Sequence, residues 1–261
     1  MSMDRIIADE VRLAYENGRR NFRHWDLAHT DLRGLHLPGA SFYGADLHGA
    51  DLRECDLSAA DLRAADLRGA QVCNADLEGA DLTEAQLADA DLTGANLYEA
   101  SLRRASLVRA NLSDALLANA CLQTADLAGA ILRDAQLVGA DLENANLAGA
   151  VMIESDLRKA SMEAADLAGA NLRGASLPDA DLAGADLEGA DLTEADLSSV
   201  DLEGADLRGA ILTRAALRHA DLRCADFGGA EMSGAILQGA NLHDVDLAGT
   251  CFERGKRATR S

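Results

Sequence analysis

The sequence has few aromatic residues and almost no proline. Of its 261 residues only 3% are Phe, Trp or Tyr, and only 2 are Pro. An ordinary globular core of sheets and helices uses more aromatic side chains, so this composition argues against such a core. The chain is nevertheless 48% hydrophobic, largely through Ala and Leu. We therefore expect a folded chain with a thin, regular core.

Positive charge is also scarce. There are 24 Lys and Arg against 44 Asp and Glu, which gives a formal net charge of −20. Proteins that bind nucleic acid directly neutralise phosphates with a basic surface, so we predict no direct nucleic-acid binding. The acidic excess has two interpretations: a surface that keeps the chain in solution, or a surface made for a partner protein whose own site is basic.

Long hydrophobic runs and paired cysteines are absent. No stretch approaches the ~18 apolar residues of a membrane-spanning helix, and the N-terminus, MSMDRIIADE, lacks the apolar core of a secretory signal. We therefore expect no membrane association and a cytoplasmic location. The 5 cysteines are scattered without a CxxC pair, and the 6 histidines contain no HExxH pair. We predict neither disulfides, nor a metal, nor a cofactor.

What the sequence does have is a five-residue repeat. From Phe22 to Phe252 every fifth residue is large and apolar, and 39 of these 47 residues are Leu. Two residues before each of them stands Ala, in 38 of the 47 units. The unit is Ala-Asp/Asn-Leu-x-x, as in residues 185–189.

A period of five determines how the backbone runs. One continuous helix is excluded, because five steps of about 100° spread successive Leu side chains around the axis. One continuous strand is excluded, because five is odd and successive Leu would alternate faces. The chain must turn once per unit. Ala and Leu point inward, the residue between them points outward, and the last two residues form a corner, where Gly is frequent.

The tandem A(D/N)LXX units resemble the pentapeptide-repeat family, over about 230 of the 261 residues. The resemblance implies an all-β fold, a right-handed quadrilateral parallel β-helix with four units per coil and about 12 coils. We expect residues 1–18 to form an N-terminal capping helix, residues 19–252 the β-helix, and residues 253–261 a short basic tail.

A β-helix leaves unpaired backbone groups at both ends. Near the N-terminus, Gly18 can end a helix whose apolar residues recur at steps of three and four. These residues are Ile7, Val11, Ala14 and Tyr15. The tail after Phe252 is short and basic, with Arg254, Lys256, Arg257 and Arg260. Either a second copy stacks on this end, or the tail folds over it.

The outward Asp residues are shared unevenly among the faces. If four units form a coil, residues twenty apart stack, and 9 of the 23 outward Asp fall on the face that begins with Asp26. Carboxylates ~4.8 Å apart repel by about 1 kcal/mol in water, so a partner uses this column or the repeat simply tolerates it. The candidate partner-binding residues are Asp126, Asp166, Asp181, Asp186, Asp201, Asp206, Asp221, Asp226 and Asp246.

The other two faces carry apolar residues near positions where Asp is usual. Apolar groups exposed together on a soluble protein often mark a contact site. The candidate contact patch consists of Leu116, Ile131, Val138, Val151 and Ile153.

No enzyme motif accompanies the repeat, and a rod filled with Leu is expected to lack the concave pocket of an active site. We predict a non-catalytic binding protein. The resemblance implies more, because the best-understood family members mimic DNA and bind type II topoisomerases. It implies a DNA-mimicking modulator or protector of DNA gyrase or topoisomerase IV, conferring resistance to topoisomerase inhibitors. The alternative is a structural or protein–protein interaction scaffold with no topoisomerase role. Any homodimer is expected to form through the C-terminal end or the apolar patch.

Overall fold

The computed structural model describes residues 3–253 and 256–257, and the side chains of residues 8–252. A single helix in this part, α1 (Met3–Glu16), precedes the repeats. A short antiparallel pair, β1 (Cys251–Glu253) and β2 (Lys256–Arg257), follows them. No helix of the described part is both long enough and apolar enough to cross a lipid bilayer.

The repeats wind into a β-helix. Parallel backbone bridges join each outward residue to the one twenty positions later, as from Asp166 to Asp186, and they continue from Asn21 to Cys251 without a break. Four units therefore make one coil with four sides. We name the sides by their outward residues: side 1 carries residues 21 to 241, side 2 residues 26 to 246, side 3 residues 31 to 251 and side 4 residues 36 to 236.

The inside and outside positions are confirmed. From Phe22 to Met232 the large apolar residue of every unit is at most 2% exposed, and Ala fills the space between these side chains. Each buried Leu contributes about 2 kcal/mol of gross transfer free energy. Three polar side chains are buried among the described residues of the rod, and each donates to a backbone carbonyl: Thr30 to Ala28 at 3.5 Å, Ser155 to Met152 at 2.8 Å and Thr250 to Phe227 at 2.9 Å.

Each corner contains one residue with a left-handed backbone. At the second corner position φ lies between +52° and +75°, for 20 glycines and for 26 other residues. The corner is closed by a hydrogen bond across four residues, as from the Ala170 N–H to the Leu167 carbonyl at 3.0 Å. Positive φ at the third residue is typical of a type II turn, which explains why Gly is frequent there.

Helix α1 packs against the first coil. It ends at Glu16 and is capped by Gly18, where φ is +88°, and the Arg19 N–H donates to the Ala14 carbonyl at 2.9 Å, the hydrogen bond of a glycine C-cap. Val11 is fully buried against the core, and the Tyr15 hydroxyl donates to the Pro38 carbonyl at 2.8 Å. The side chain of Ile7 lies outside the described residues.

The C-terminal coil is more open. Leu242 occupies an inward position yet is 43% exposed. Among the described residues, the N–H groups of Leu237, Leu242 and Leu247 have no hydrogen-bond partner. Strand β2 pairs only with β1, at the end of side 3, so this part of the tail leaves the edges of sides 4, 1 and 2 uncovered. The side chains of the basic tail residues lie outside the described residues.

Candidate functional site: an acidic face beside a glycine corner

Every outward Asp or Asn stabilises its own corner. All 23 Asp and all 6 Asn at this position accept, through Oδ1, a hydrogen bond from the backbone N–H two residues later, at 2.8–3.3 Å. That N–H donates to no backbone carbonyl in the repeat. Asp and Asn are therefore frequent here because they complete an Asx turn. The charge pattern of the sequence does not reveal this role.

The nine predicted acidic residues lie on two adjoining sides. We call the outward residues of side 2 from Asp126 to Asp246 the acidic ladder. It contains six Asp and Asn146, whose amide donates to Asp126 at 2.9 Å. The remaining three predicted residues stack on side 1: Asp181, Asp201 and Asp221. The structure thus brings all nine carboxylates into two neighbouring columns.

Two arginines neutralise part of this surface. Arg208 contacts Asp206 at 2.6 Å and Glu188 at 3.0 Å, and its hydrogen bond lowers the pKa of Asp206. Arg223 contacts Asp221 at 2.9 Å in the same way and lowers the pKa of that carboxyl. Other carboxylates of the site form no ion pair within the described part of the chain. They are Asp126, Asp166, Asp181, Asp186 and Asp201.

The charge density of this surface approaches that of duplex DNA. On sides 1 and 2, the three coils from Asp181 to Gly229 carry eight carboxylates and two guanidinium groups. Three coils span about 14 Å, so the surface has one net negative charge per about 2.4 Å. Duplex DNA has one per ~1.7 Å.

The corner between side 2 and side 3, next to the acidic ladder, has no side chains at its second position. All seven second-corner positions beside the ladder are glycine: Gly129, Gly149, Gly169, Gly189, Gly209, Gly229 and Gly249. We call this column the glycine corner. At five of the seven, an added Cβ would meet no atom within 4 Å. A partner surface can therefore approach the carboxylates closely from this edge. Counting the glycines at steps of twenty would have revealed the column from sequence.

Two groups of described side chains have the geometry to hold a cation. They are Asp46, His48 and Asp66, and Asp186, Glu188 and Asp206. Each group already contacts an arginine, because Arg68 lies 2.5 Å from Asp66 and Arg208 bridges the second group. The guanidinium supplies the positive charge that a metal ion would bring, so we assign no metal to either group.

The concavities among the described residues lie beside helix α1 and not in the rod. Two grooves, of about 520 and 380 Å³, flank helix α1 where it meets the first coils. Most of the charged residues that line the larger groove are paired: Arg12 contacts Asp9 and Arg33 contacts Asp31, both at 2.7 Å, and Arg53 contacts Asp51 at 2.6 Å. These paired charges leave little for a ligand to bind.

The predicted apolar patch is divided between two sides. Ile131 and Val151 are joined by a bridge on side 3, and Ile153 lies at a corner of the same side. Leu116 lies on side 4, and Val138 occupies its corner. Ile131 and Leu116 are almost equally exposed, at 39% and 38%, and the other three are partly buried. The structure therefore has two small apolar surfaces.

Comparison with known proteins agrees with this repeat architecture. The family model for pentapeptide repeats matches residues 21–58, 60–97, 95–134, 135–174, 175–214 and 210–249. Comparison with curated proteins gave no match.

Three solved structures illustrate the similarity. HetL from the cyanobacterium Nostoc, a pentapeptide repeat protein involved in heterocyst differentiation regulation, is 33% identical over 96% of this chain and 98% of its own, with a TM-score of 0.45. Rfr23 from the cyanobacterium Cyanothece is 45% identical over 33% of this chain and 58% of its own, with a TM-score of 0.32. QnrB1, a plasmid-mediated fluoroquinolone resistance protein, is 19% identical over 82% and 92%, with a TM-score of 0.47. Because all three TM-scores lie below 0.5, these likenesses carry no functional conclusion.

Proposed function

The chain belongs to the pentapeptide-repeat family, and from this premise we propose that it is a non-catalytic, cytoplasmic binding protein whose acidic face imitates DNA. The partner is a protein with a basic groove, either DNA gyrase or topoisomerase IV. Occupying the DNA-binding groove would modulate the enzyme and protect it from inhibitors. The same proposal includes the right-handed winding, the count of about 12 coils and the capping role of α1. It also includes the division of the chain into residues 1–18, 19–252 and 253–261.

The observation that carries the proposal is the acidic ladder together with the adjoining glycine corner. A basic groove that binds DNA is lined by Lys and Arg spaced for phosphates, and it attracts any surface with a similar line of negative charge. Asp166 and Asp186 are bridged neighbours, partly exposed and without an ion pair among the described residues. The glycine corner beside them removes the side chains that would hold a partner away.

The first test is functional. We expect the purified protein to alter DNA supercoiling by gyrase, or decatenation by topoisomerase IV, and to reduce the effect of an inhibitor on these enzymes. Because exposed charges are screened within about 8 Å at physiological ionic strength, the effect should weaken steeply with added salt. If neither enzyme responds even at low salt, the topoisomerase proposal fails.

A second test uses the glycine corner. Gly169→Asn adds a side chain where an added Cβ meets nothing within 4 Å. Asn is accommodated at other corners, for example at Asn144 with φ +55°, so we expect the free energy of unfolding to change by less than about 1 kcal/mol. Affinity for the topoisomerase should fall at least tenfold, because the added side chain obstructs approach to the ladder.

The matched control is Gly79→Asn, at a corner of side 4 where an added Cβ also meets nothing within 4 Å. It should leave both stability and affinity nearly unchanged. Equal binding by the two variants would mean that the glycine corner is not in the interface.

A scaffold without a topoisomerase role is the second candidate. It is supported by the uncovered C-terminal coil with its exposed Leu242, and by the two apolar surfaces around Ile131 and Leu116. In this candidate the rod forms a homodimer through its C-terminal end or an apolar surface, and leaves topoisomerases unaffected.

A further inference from the structure

We propose that two copies of this chain pair side by side and antiparallel through one strip of side 3. The strip consists of the outward residues Asn111, Ile131, Val151 and Asn171, and we call it the apolar strip. The inference makes the self-association of the scaffold candidate specific, by naming its surface, orientation and register. It stands whether or not the acidic face binds a topoisomerase.

Charge limits where two such rods can meet. Each copy carries a formal charge of −20, so most contacts between copies would bring carboxylates together. The apolar strip is the longest run of uncharged outward residues on any side, with four successive coils between Asp91 and Asp191. Counted by outward residues alone, it is the surface on which a second copy meets the least repulsion, and the acids Asp134 and Glu154 at the adjoining corner add a repulsion that weakens the contact.

The strip also matches itself under a two-fold rotation. An axis passing between Ile131 and Val151 places Ile131 against Val151 of the second copy, and Asn111 against Asn171. Each contact occurs twice, as in any isologous dimer. At the adjoining corner the same rotation places Arg133 against Ile153 of the second copy. Arg133 has no ion pair within the described part of the chain, so its aliphatic stem is available to cover that side chain.

The same symmetry limits the length of the contact. At both ends of the strip it places Asp91 opposite Asp191 of the second copy, and only Asp191 has an arginine nearby, Arg173 at 3.4 Å. Four coils span about 19 Å, which is short for a stable interface of ~800 Å² per partner. We therefore expect a reversible dimer that forms at high concentration. Added salt should strengthen it by screening the net charge, whereas binding through the acidic face weakens with salt.

Sedimentation velocity at increasing protein and salt concentrations tests the surface. The wild-type chain should shift from monomer toward dimer, and Ile131→Asp should remain monomeric with an unchanged unfolding midpoint. Leu116→Asp is the matched control, because Leu116 is as exposed as Ile131 but lies on side 4. Leu242→Asp tests the C-terminal end in the same way, and both of these variants should still dimerise. The proposal is overturned if the wild type stays monomeric at its highest soluble concentration. It is also overturned if either control loses the dimer while Ile131→Asp keeps it.

Cysteine cross-linking tests the register. Asn111→Cys and Asn171→Cys, mixed and oxidised, should form a cross-linked dimer faster than either variant alone and faster than the unmodified chain, whose five free cysteines give the background. In the antiparallel register two copies of residue 111 lie three coils apart, about 14 Å along the axis, which is too far for a disulfide. Efficient cross-linking of Asn111→Cys with itself would indicate a parallel pair and contradict the proposal.

Discussion

At the scale of the residue, two adjacent residues of a unit can differ completely in burial. Leu147 is fully buried, whereas Asn146 points outward and donates to Asp126. Leu147→Asp should lower the free energy of unfolding by several kcal/mol, because it places a charge in a dry interior. Asn146→Asp should change it by less than about 1 kcal/mol. Urea denaturation of the two variants measures this, and equal effects would contradict the assignment of inside and outside.

The corners hold strain that a single substitution can relieve. Ala164 has φ of +54°, a conformation that is strained for an L residue and that Gly adopts freely. The left-handed strain is about 1–2 kcal/mol and Gly costs about 0.5–1 kcal/mol through the unfolded chain, so we expect Ala164→Gly to raise the free energy of unfolding by a net amount of up to about 1 kcal/mol.

Ala168 is the matched control, because it lies at the first corner position of the next unit, where φ is not positive. Ala168→Gly should lower the free energy of unfolding by about 0.5–1 kcal/mol, since Gly only adds flexibility to the unfolded chain there. Thermal unfolding of both variants checks the opposite signs. The same sign for both would show that corner strain is not decisive.

At the scale of the element, the stability of each corner depends on the outward side chain at its start. Asp196 accepts a hydrogen bond from the Ser198 N–H at 3.0 Å. Asp196→Asn keeps this acceptor and should leave stability nearly unchanged. Asp196→Ala removes it and should cost about 1 kcal/mol, the usual net value of one hydrogen bond. A chemical denaturation series gives both numbers, and a neutral Asp196→Ala would mean that water replaces the Asx turn without loss.

The two terminal elements differ in how well the sequence predicts them. The sequence before the repeats has an apolar stripe that reaches Tyr15, and Gly18 behind it has the left-handed backbone of a helix C-cap, whereas the capping role of α1 stays a prediction. The end of the chain was not predictable, because a short tail has no periodicity to indicate its path. The structure pairs Lys256 and Arg257 with β1 and leaves Leu242 exposed, a result that depends on local backbone pairing.

At the scale of the whole molecule, the five-residue period predicts most of the architecture. It implies one corner per unit and an inward Leu, and stacking at steps of twenty follows from the family resemblance; the bridge from Asp166 to Asp186 confirms this stacking. The period says nothing of hydrogen bonds within a corner. The Asx turn that each Asp completes offsets the repulsion between stacked carboxylates. The functional assignment of the acidic ladder was reached by placing charges on faces, and it remains a prediction.

The central claim is that the charge of the acidic ladder, and not the charge of the rod as a whole, binds the partner. Two triple variants separate these possibilities, because each removes three charges and keeps every Asx turn. One carries Asp166→Asn, Asp186→Asn and Asp226→Asn on the acidic ladder. The control carries Asp76→Asn, Asp156→Asn and Asp196→Asn on side 4. Each variant also loses one contact with an arginine: the ladder variant loses Asp226–Arg208 at 4.0 Å, and the side 4 variant loses Asp156–Arg158 at 2.6 Å.

The measurement is the affinity of both variants for DNA gyrase and topoisomerase IV at low salt. Exposed ion pairs contribute about 0.5 kcal/mol each, so three lost pairs should weaken binding by the ladder variant about tenfold. The side 4 variant should bind within a factor of two or three of the wild type. Equal affinity of the two variants, whether both are weakened or both unchanged, would contradict binding through the acidic ladder.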